Sequence, residues 1–252
     1  MNPKNRDRLV VEICLLAGKI MIENGSEMVR VTDTIDRIAK NAGAFQARSY
    51  VTLTGIIMSA NYNNGAQVIS IDKRSFDLEK VSVVNDYSRK FAERKINLRQ
   101  FYYALEHIDD TVPRFNKWMQ LLGAAMVSGC LEIVFRNNIK DFPIACLIGV
   151  FGWIMYSVIE KYTSIKFLSE FIAALGIGLL SIISINYLHL GNSVDDLIIG
   201  SIMPLVPGVP ITNAVRDVLS GNLISGPSRG VEAIISACAL GFGVAMAIKI
   251  LG

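Results

Sequence analysis

The chain has 252 residues and a net charge of +3; 52% of its residues are hydrophobic and only 19% are charged. A soluble domain normally carries charge on about a quarter of its residues, and here the shortage is uneven. Residues 1–117 hold 18 of the 25 Lys/Arg and 14 of the 22 Asp/Glu, leaving 7 and 8 for the remainder. This asymmetry excludes a uniformly soluble protein and predicts a polar front domain, residues 1–113, followed by a membrane domain, residues 114–252. Basic and acidic residues alternate without a basic stripe, which argues against a nucleic-acid partner.

The start, MNPKNRDRLV, is too polar for the apolar core of a secretory signal. Leu9 to Glu23 repeats apolar residues at a helical period and stops at Asn24-Gly25. Ser26 is the expected cap of a second helix with Val31, Ile35 and Ile38 on one face, ending at Asn41-Ala42-Gly43. Arg48 to Ala60 is rich in β-branched residues, Asn61 to Gly65 supplies a turn, and Gln67 to Asp72 reads as a return strand. Leu78 to Glu93 and Leu98 to Ile108 return to a helical pattern, so the front domain is α+β. Asp109 to Pro113 is the linker.

No nucleophile–base pattern, phosphate-cradling glycine loop or metal-spaced cluster appears, and no cofactor is implied. His107, beside Glu106 and Asp109, is a formal general-base candidate but fits a solvated helix end better. The four cysteines (Cys14, Cys130, Cys146, Cys238) are scattered and read as buried, reduced thiols.

Five apolar segments follow: Trp118 to Phe135, Phe142 to Ile159, Phe167 to Leu190, Leu197 to Ile211 and Val231 to Leu251. Their lengths and short connections predict an α-helical polytopic membrane protein with about five spans. Recurrent glycines permit close helix packing. With the front domain cytoplasmic, Arg114, Lys117, Lys161, Lys166, Arg216 and Arg229 fall inside, and Arg136, Lys140 and Lys249 outside. That bias places the N-terminal domain in the cytoplasm and the C-terminus outside.

The fourth segment is broken by Pro204, Pro207 and Pro210 with Gly208. Proline removes a backbone donor and disfavours helix in the residue before it. Broken helices at membrane depth are where transporters commonly bind substrate. Asn213, Arg216 and Asp217 follow at spacings of three and four, on one helical face. Arg216 suits a carboxylate substrate, whose shape its planar fork matches; it serves equally as an anchor at the cytoplasmic end. The substrate-binding candidates are therefore Pro204, Pro207, Gly208, Pro210, Asn213, Arg216 and Asp217. Glu132, Glu170 and Glu232 are acids in or at the ends of spans, where ionisable groups are costly and mark ion pathways, and they are the proton-coupling candidates.

LAGKIMIENGSEMVRVTDTIDRIAKNAG, with Gly25-Ser26-Glu27, Arg30 and Gly43, and PGVPITNAVRDVLSGNLISGPSRGVEA resemble the two signatures of the threonine/serine exporter family. The resemblance implies a proton-driven secondary exporter of small hydrophilic metabolites, threonine and serine or dicarboxylates such as succinate. Fused members continue into a second, smaller set of spans, so it further implies a small membrane-spanning partner subunit in the cell membrane, within an oligomer. Two other readings stand beside it: a hydrolase-like enzyme anchored by the spans, and a regulatory component whose partner holds the pathway.

Overall fold

The computed structural model describes residues 3–61, 65–73, 75–112, 115–136, 140–163 and 165–252. Part of the expected 61–65 turn, the Pro113 boundary, Arg114 and the side chain of Arg136 lie outside the described residues. The chain forms two compact units, one of residues 1–114 with 209–230, the other of residues 115–208 with 231–252.

The first unit opens with α1 (Pro3–Glu23) and α2 (Met28–Asn41). Val10, Ile13, Cys14, Ala17 and Met21 of α1 are buried, as are Val31, Ile35 and Ile38 of α2, so the two apolar faces meet in one core. Gly25 ends α1 at φ +89°, a conformation that L side chains rarely adopt. Its N–H donates to Ile22 and that of Ser26 to Met21 at 2.9 Å, the paired bonds of a Schellman turn. Ser26 is not the cap of α2: Glu27 holds that position, extended and without a side-chain cap bond. The bond is supplied from elsewhere in the unit, as described below.

The expected strand 48–60 folds into two. β1 (Arg48–Thr52) and β2 (Gly55–Ser59) pair antiparallel around a tight turn, and β3 (Gln67–Ser70) pairs with β2. The Thr52 hydroxyl closes the turn, accepting the Gly55 N–H at 3.2 Å and donating to the Gly55 carbonyl. β-Branched content signals strand throughout and leaves the reversal at Leu53-Thr54 unmarked. Ile56 and Met58 face the core. α3 (Leu78–Ala92), α4 (Leu98–Glu106) and the short α5 (Ile108–Thr111) complete this part. Asn97 and Gln100 form a capping box on α4, and Lys80 pairs with Asp109.

The second unit is helical. α6 (Lys117–Arg136), α7 (Phe142–Thr163) and α8 (Lys166–Asn186) are followed by α9 (Val194–Ile202) and a single 3₁₀ turn, Met203–Leu205. α9 packs against α6, α7 and α8, and Ser193 caps it by accepting the Asp196 N–H. Val206 is then extended at ψ 129°, as the residue before a proline should be, and α10 (Gly208–Leu219) begins beyond Pro207. The last helix, α11 (Ser225–Leu251), contributes its first turns to the first unit and its remainder to the second.

Among the described residues, four helices are long and apolar enough to cross a membrane: Lys117–Phe135, Phe142–Thr163, Lys166–Asn186 and Ser225–Leu251. The interrupted pair 194–205 and 208–219 makes a fifth if counted as one span. Trp118, Leu147 and Phe242 are each at least 70% exposed. Helices inside a soluble protein would bury such side chains; these face outward, as lipid contact requires. Cys130 and Cys238 are likewise exposed, correcting the expectation of burial, while Cys14 is buried and burial pushes its thiol up.

Small residues set the helix spacing in the second unit. A Cβ at Gly243 would lie 2.5 Å from the Phe171 carbonyl oxygen and 2.9 Å from the Ala174 Cβ. Gly243→Val is therefore expected to destabilise the α8–α11 contact by about 1–3 kcal/mol. Thermal unfolding of the full chain in detergent checks this, with unchanged melting counting against the close approach.

Candidate functional site

In the first unit, the turn 24–28 between α1 and α2 is held by residues nearly two hundred positions later. Asn213 donates its side-chain amide to the Gly25 carbonyl at 3.0 Å. Asp217 accepts the Met28 N–H at 3.0 Å, and Arg229 donates to the Ser26 carbonyl at 3.1 Å. The Met28 amide is the first of α2, so Asp217 places a carboxylate at the N-terminus of that helix. A negative charge is favoured there by the exposed N–H groups and the helix dipole. This explains why neither Ser26 nor Glu27 caps α2 with its own side chain.

The Asp217 side chain is fully buried and that of Arg229 is 6% exposed, with Arg229 Nε 3.7 Å from Asp217 Oδ2. Ser225, at the start of α11, accepts the Leu53 N–H at 3.2 Å in the β1–β2 turn. Arg216 occupies a different setting. It pairs with Glu27, yet 51% of its side chain is exposed, and Arg30 stands 3.7 Å from the same Glu27 carboxylate. Glu27 thus sits between two arginines, both about half open to solvent.

The predicted face of α10 is therefore observed: Asn213, Arg216 and Asp217 all meet the Gly25–Met28 turn. Pro210 is buried in the first turn of α10. Pro204 lies in the 3₁₀ turn of the second unit, and Pro207 and Gly208 mark the break itself. The Gly208 N–H bonds back to the Val206 carbonyl at 2.8 Å. Arg229 and Ser225 were missed from the sequence; Arg229 was detectable as one of only 7 basic residues after position 117.

A family comparison bears on these paired segments. The ThrE model, threonine/serine exporter, matches residues 12–251 and so takes in both. The chain belongs to the ThrE family. The chain is also similar to two curated proteins, each named "Probable succinate transporter subunit YjjP". The one from Escherichia coli K12 is 21% identical over 252 residues, covering 98% of this chain and 96% of its own length. That from Klebsiella aerogenes is 20% identical over 255 residues, covering 99% and 96%. No solved structure matches significantly. A transport family and several outward-facing apolar helices together make this ThrE chain a multi-pass membrane protein.

The acids of the ThrE chain's second unit fall into two settings. Glu132 on α6 is buried, and Gly200 of α9 leaves the room it fills, since a Cβ there would collide with it. Glu170 on α8 is 3% exposed; it accepts a hydrogen bond from Ser236 of α11 at 3.1 Å. Lys166 stands 3.9 Å from Glu170 and 3.8 Å from Glu232. One lysine is thereby shared by two carboxylates, one buried and one partly exposed. The i, i+4 spacing of Lys166 and Glu170 was readable in the sequence, whereas Ser236 had no local signal. His107 ends α4, stacks on Tyr103 at 4.1 Å and sits with Nδ1 3.0 Å from the Tyr103 carbonyl.

Proposed function

We propose that this chain is one subunit of a secondary exporter for small hydrophilic metabolites bearing a carboxylate, either threonine and serine or a dicarboxylate such as succinate. The observation that carries the reading is the half-exposed Arg216 paired with Glu27. A guanidinium already satisfied by an internal carboxylate, but open to solvent, is arranged to exchange that carboxylate for one on a solute. Glu27 keeps Arg30 as a neighbour when Arg216 turns to the solute, so the exchange leaves no acid stranded. Asn213, Asp217 and Arg229 hold the turn that presents Glu27. Pro207 and Gly208 mark the break, with Pro204 in the 3₁₀ turn before it and Pro210 in the first turn of α10 after it, and backbone groups released there are suited to a solute path.

Positive charge flanking the spans supports a cytoplasmic N-terminal domain over residues 1–113 and a membrane domain over 114–252, in the cell membrane. Arg216 then lies on the side from which an exported solute enters. The relatives named as subunits match nearly end to end, which supports a separate, small membrane-spanning partner within an oligomer.

Proton coupling falls to the intramembrane acids Glu132, Glu170 and Glu232. Glu170 is the foremost because, among the described residues, its charge is met by a hydroxyl and by a lysine that Glu232 also engages. A proton arriving at Glu170 frees Lys166 toward Glu232, a change of pairing that can accompany a change of access. Vesicles holding the chain and its small partner should release labelled succinate, threonine or serine faster under a pH gradient. Glu170→Gln is expected to abolish that stimulation while leaving assembly intact. Stimulation equal to wild type in this variant would remove Glu170 from the coupling path. Release equal to that from empty vesicles would overturn the exporter reading.

A further inference from the structure

Within the first unit, α2 and α3 flank a groove of about 660 Å³ that shares only Arg30 with the contacts described so far. Its volume lies within the range of about 300–1,000 Å³ typical of small-molecule sites. Three arginines line it, Arg30 and Arg37 from α2 and Arg89 from α3, with Asp33, Asn85 and Asp86. Both acids already have basic partners: Asp33 pairs with Arg37 at 2.6 Å and Asp86 with Lys90 at 2.7 Å. Arg89 makes no ion pair with any acid among the described residues, and Arg30 has only the 3.7 Å approach to Glu27. The floor is fixed. Thr34, fully buried, meets Asn85 Oδ1 at 3.1 Å, and Asn85 donates to the Val81 carbonyl at 3.0 Å.

The groove therefore offers guanidinium donors in excess of the carboxylates that use them. Arginine forks bind carboxylate and phosphate oxygens by paired, charge-assisted hydrogen bonds. We propose that this groove is a regulatory site for a small metabolite carrying two or more anionic groups, distinct from the Arg216 site. Regulation follows from Arg30, which serves both places. A ligand that draws Arg30 into the groove leaves Glu27 with Arg216 alone, tightens that pair and slows its exchange for a transported carboxylate. The regulatory half of the proposal rests on the export reading; the binding half does not.

The test uses the full chain in detergent, with citrate and pyrophosphate as probes in separate calorimetric titrations. At least one should bind saturably, and which one identifies carboxylate or phosphate as the preferred group. Arg89→Gln, at an exposed position, should weaken that binding at least about tenfold. Arg216→Ala should weaken it less than Arg89→Gln does, since it removes no groove residue and only lets Glu27 hold Arg30 more firmly. Binding by neither probe overturns the site, as does binding lost in Arg216→Ala but kept in Arg89→Gln. With the partner present, the bound probe should lower solute release from wild-type vesicles and not from Arg89→Gln vesicles. Equal inhibition of both would overturn the regulatory role while leaving the export reading intact.

Discussion

Asp217→Ala is expected to destabilise the turn 24–28 and the start of α2 by about 3–5 kcal/mol, the cost of breaking a buried ion pair by removing one partner. The aspartate is fully buried and its side chain accepts the first amide of α2. Its removal leaves the Arg229 guanidinium enclosed without its carboxylate and takes the negative charge from the helix N-terminus. Met28 to Val31 would register the loss directly, because their amides open with the turn. Hydrogen exchange in the full chain should speed up there by at least about a hundredfold, each tenfold corresponding to about 1.4 kcal/mol. Arg229→Met on top of Asp217→Ala should recover much of the protection, since no charge then remains without its partner. Unchanged exchange in Asp217→Ala would mean that α2 does not depend on this cap.

The same contacts show what a sequence can and cannot disclose. Asn24-Gly25 announced the end of α1 because positive φ is a local demand that glycine meets. The cap of α2 was misread because Ser26 is a good local candidate, whereas the acceptor that wins lies 189 residues away. Helical spacing put Asn213, Arg216 and Asp217 on one face, but spacing is silent about what the face meets. The three prolines located the break, and the extended Val206 follows from Pro207 directly. β-Branched residues over 48–60 mark strand without marking the turn that Thr52 closes, so the sequence predicts two strands where three form. The spans were legible from apolar length and charge. Which helix would offer Ser236 to Glu170 was not, since a hydrogen bond between helices leaves no periodicity in either.

Arg216→Ala is the second large effect expected. Arg216 is half-exposed, so its loss costs the fold little, unlike that of Asp217 one residue later. Glu27 retains Arg30 as a neighbour, and the turn keeps its bonds to Asn213, Asp217 and Arg229. What disappears is the guanidinium that pairs most closely with Glu27 while half open to solvent. Arg216→Lys keeps the charge but not the planar fork and should recover only part of the function. A purely structural anchor would behave otherwise, with lysine restoring it fully.

The most direct measurement is the release of labelled succinate, threonine and serine from vesicles that contain this chain and its small membrane partner, comparing wild type with Arg216→Ala at equal assembly. The account predicts release of at least one of these solutes by wild type and a loss of about tenfold or more in the variant, equivalent to about 1.4 kcal/mol or more of lost interaction. Equal release by the two proteins would contradict it.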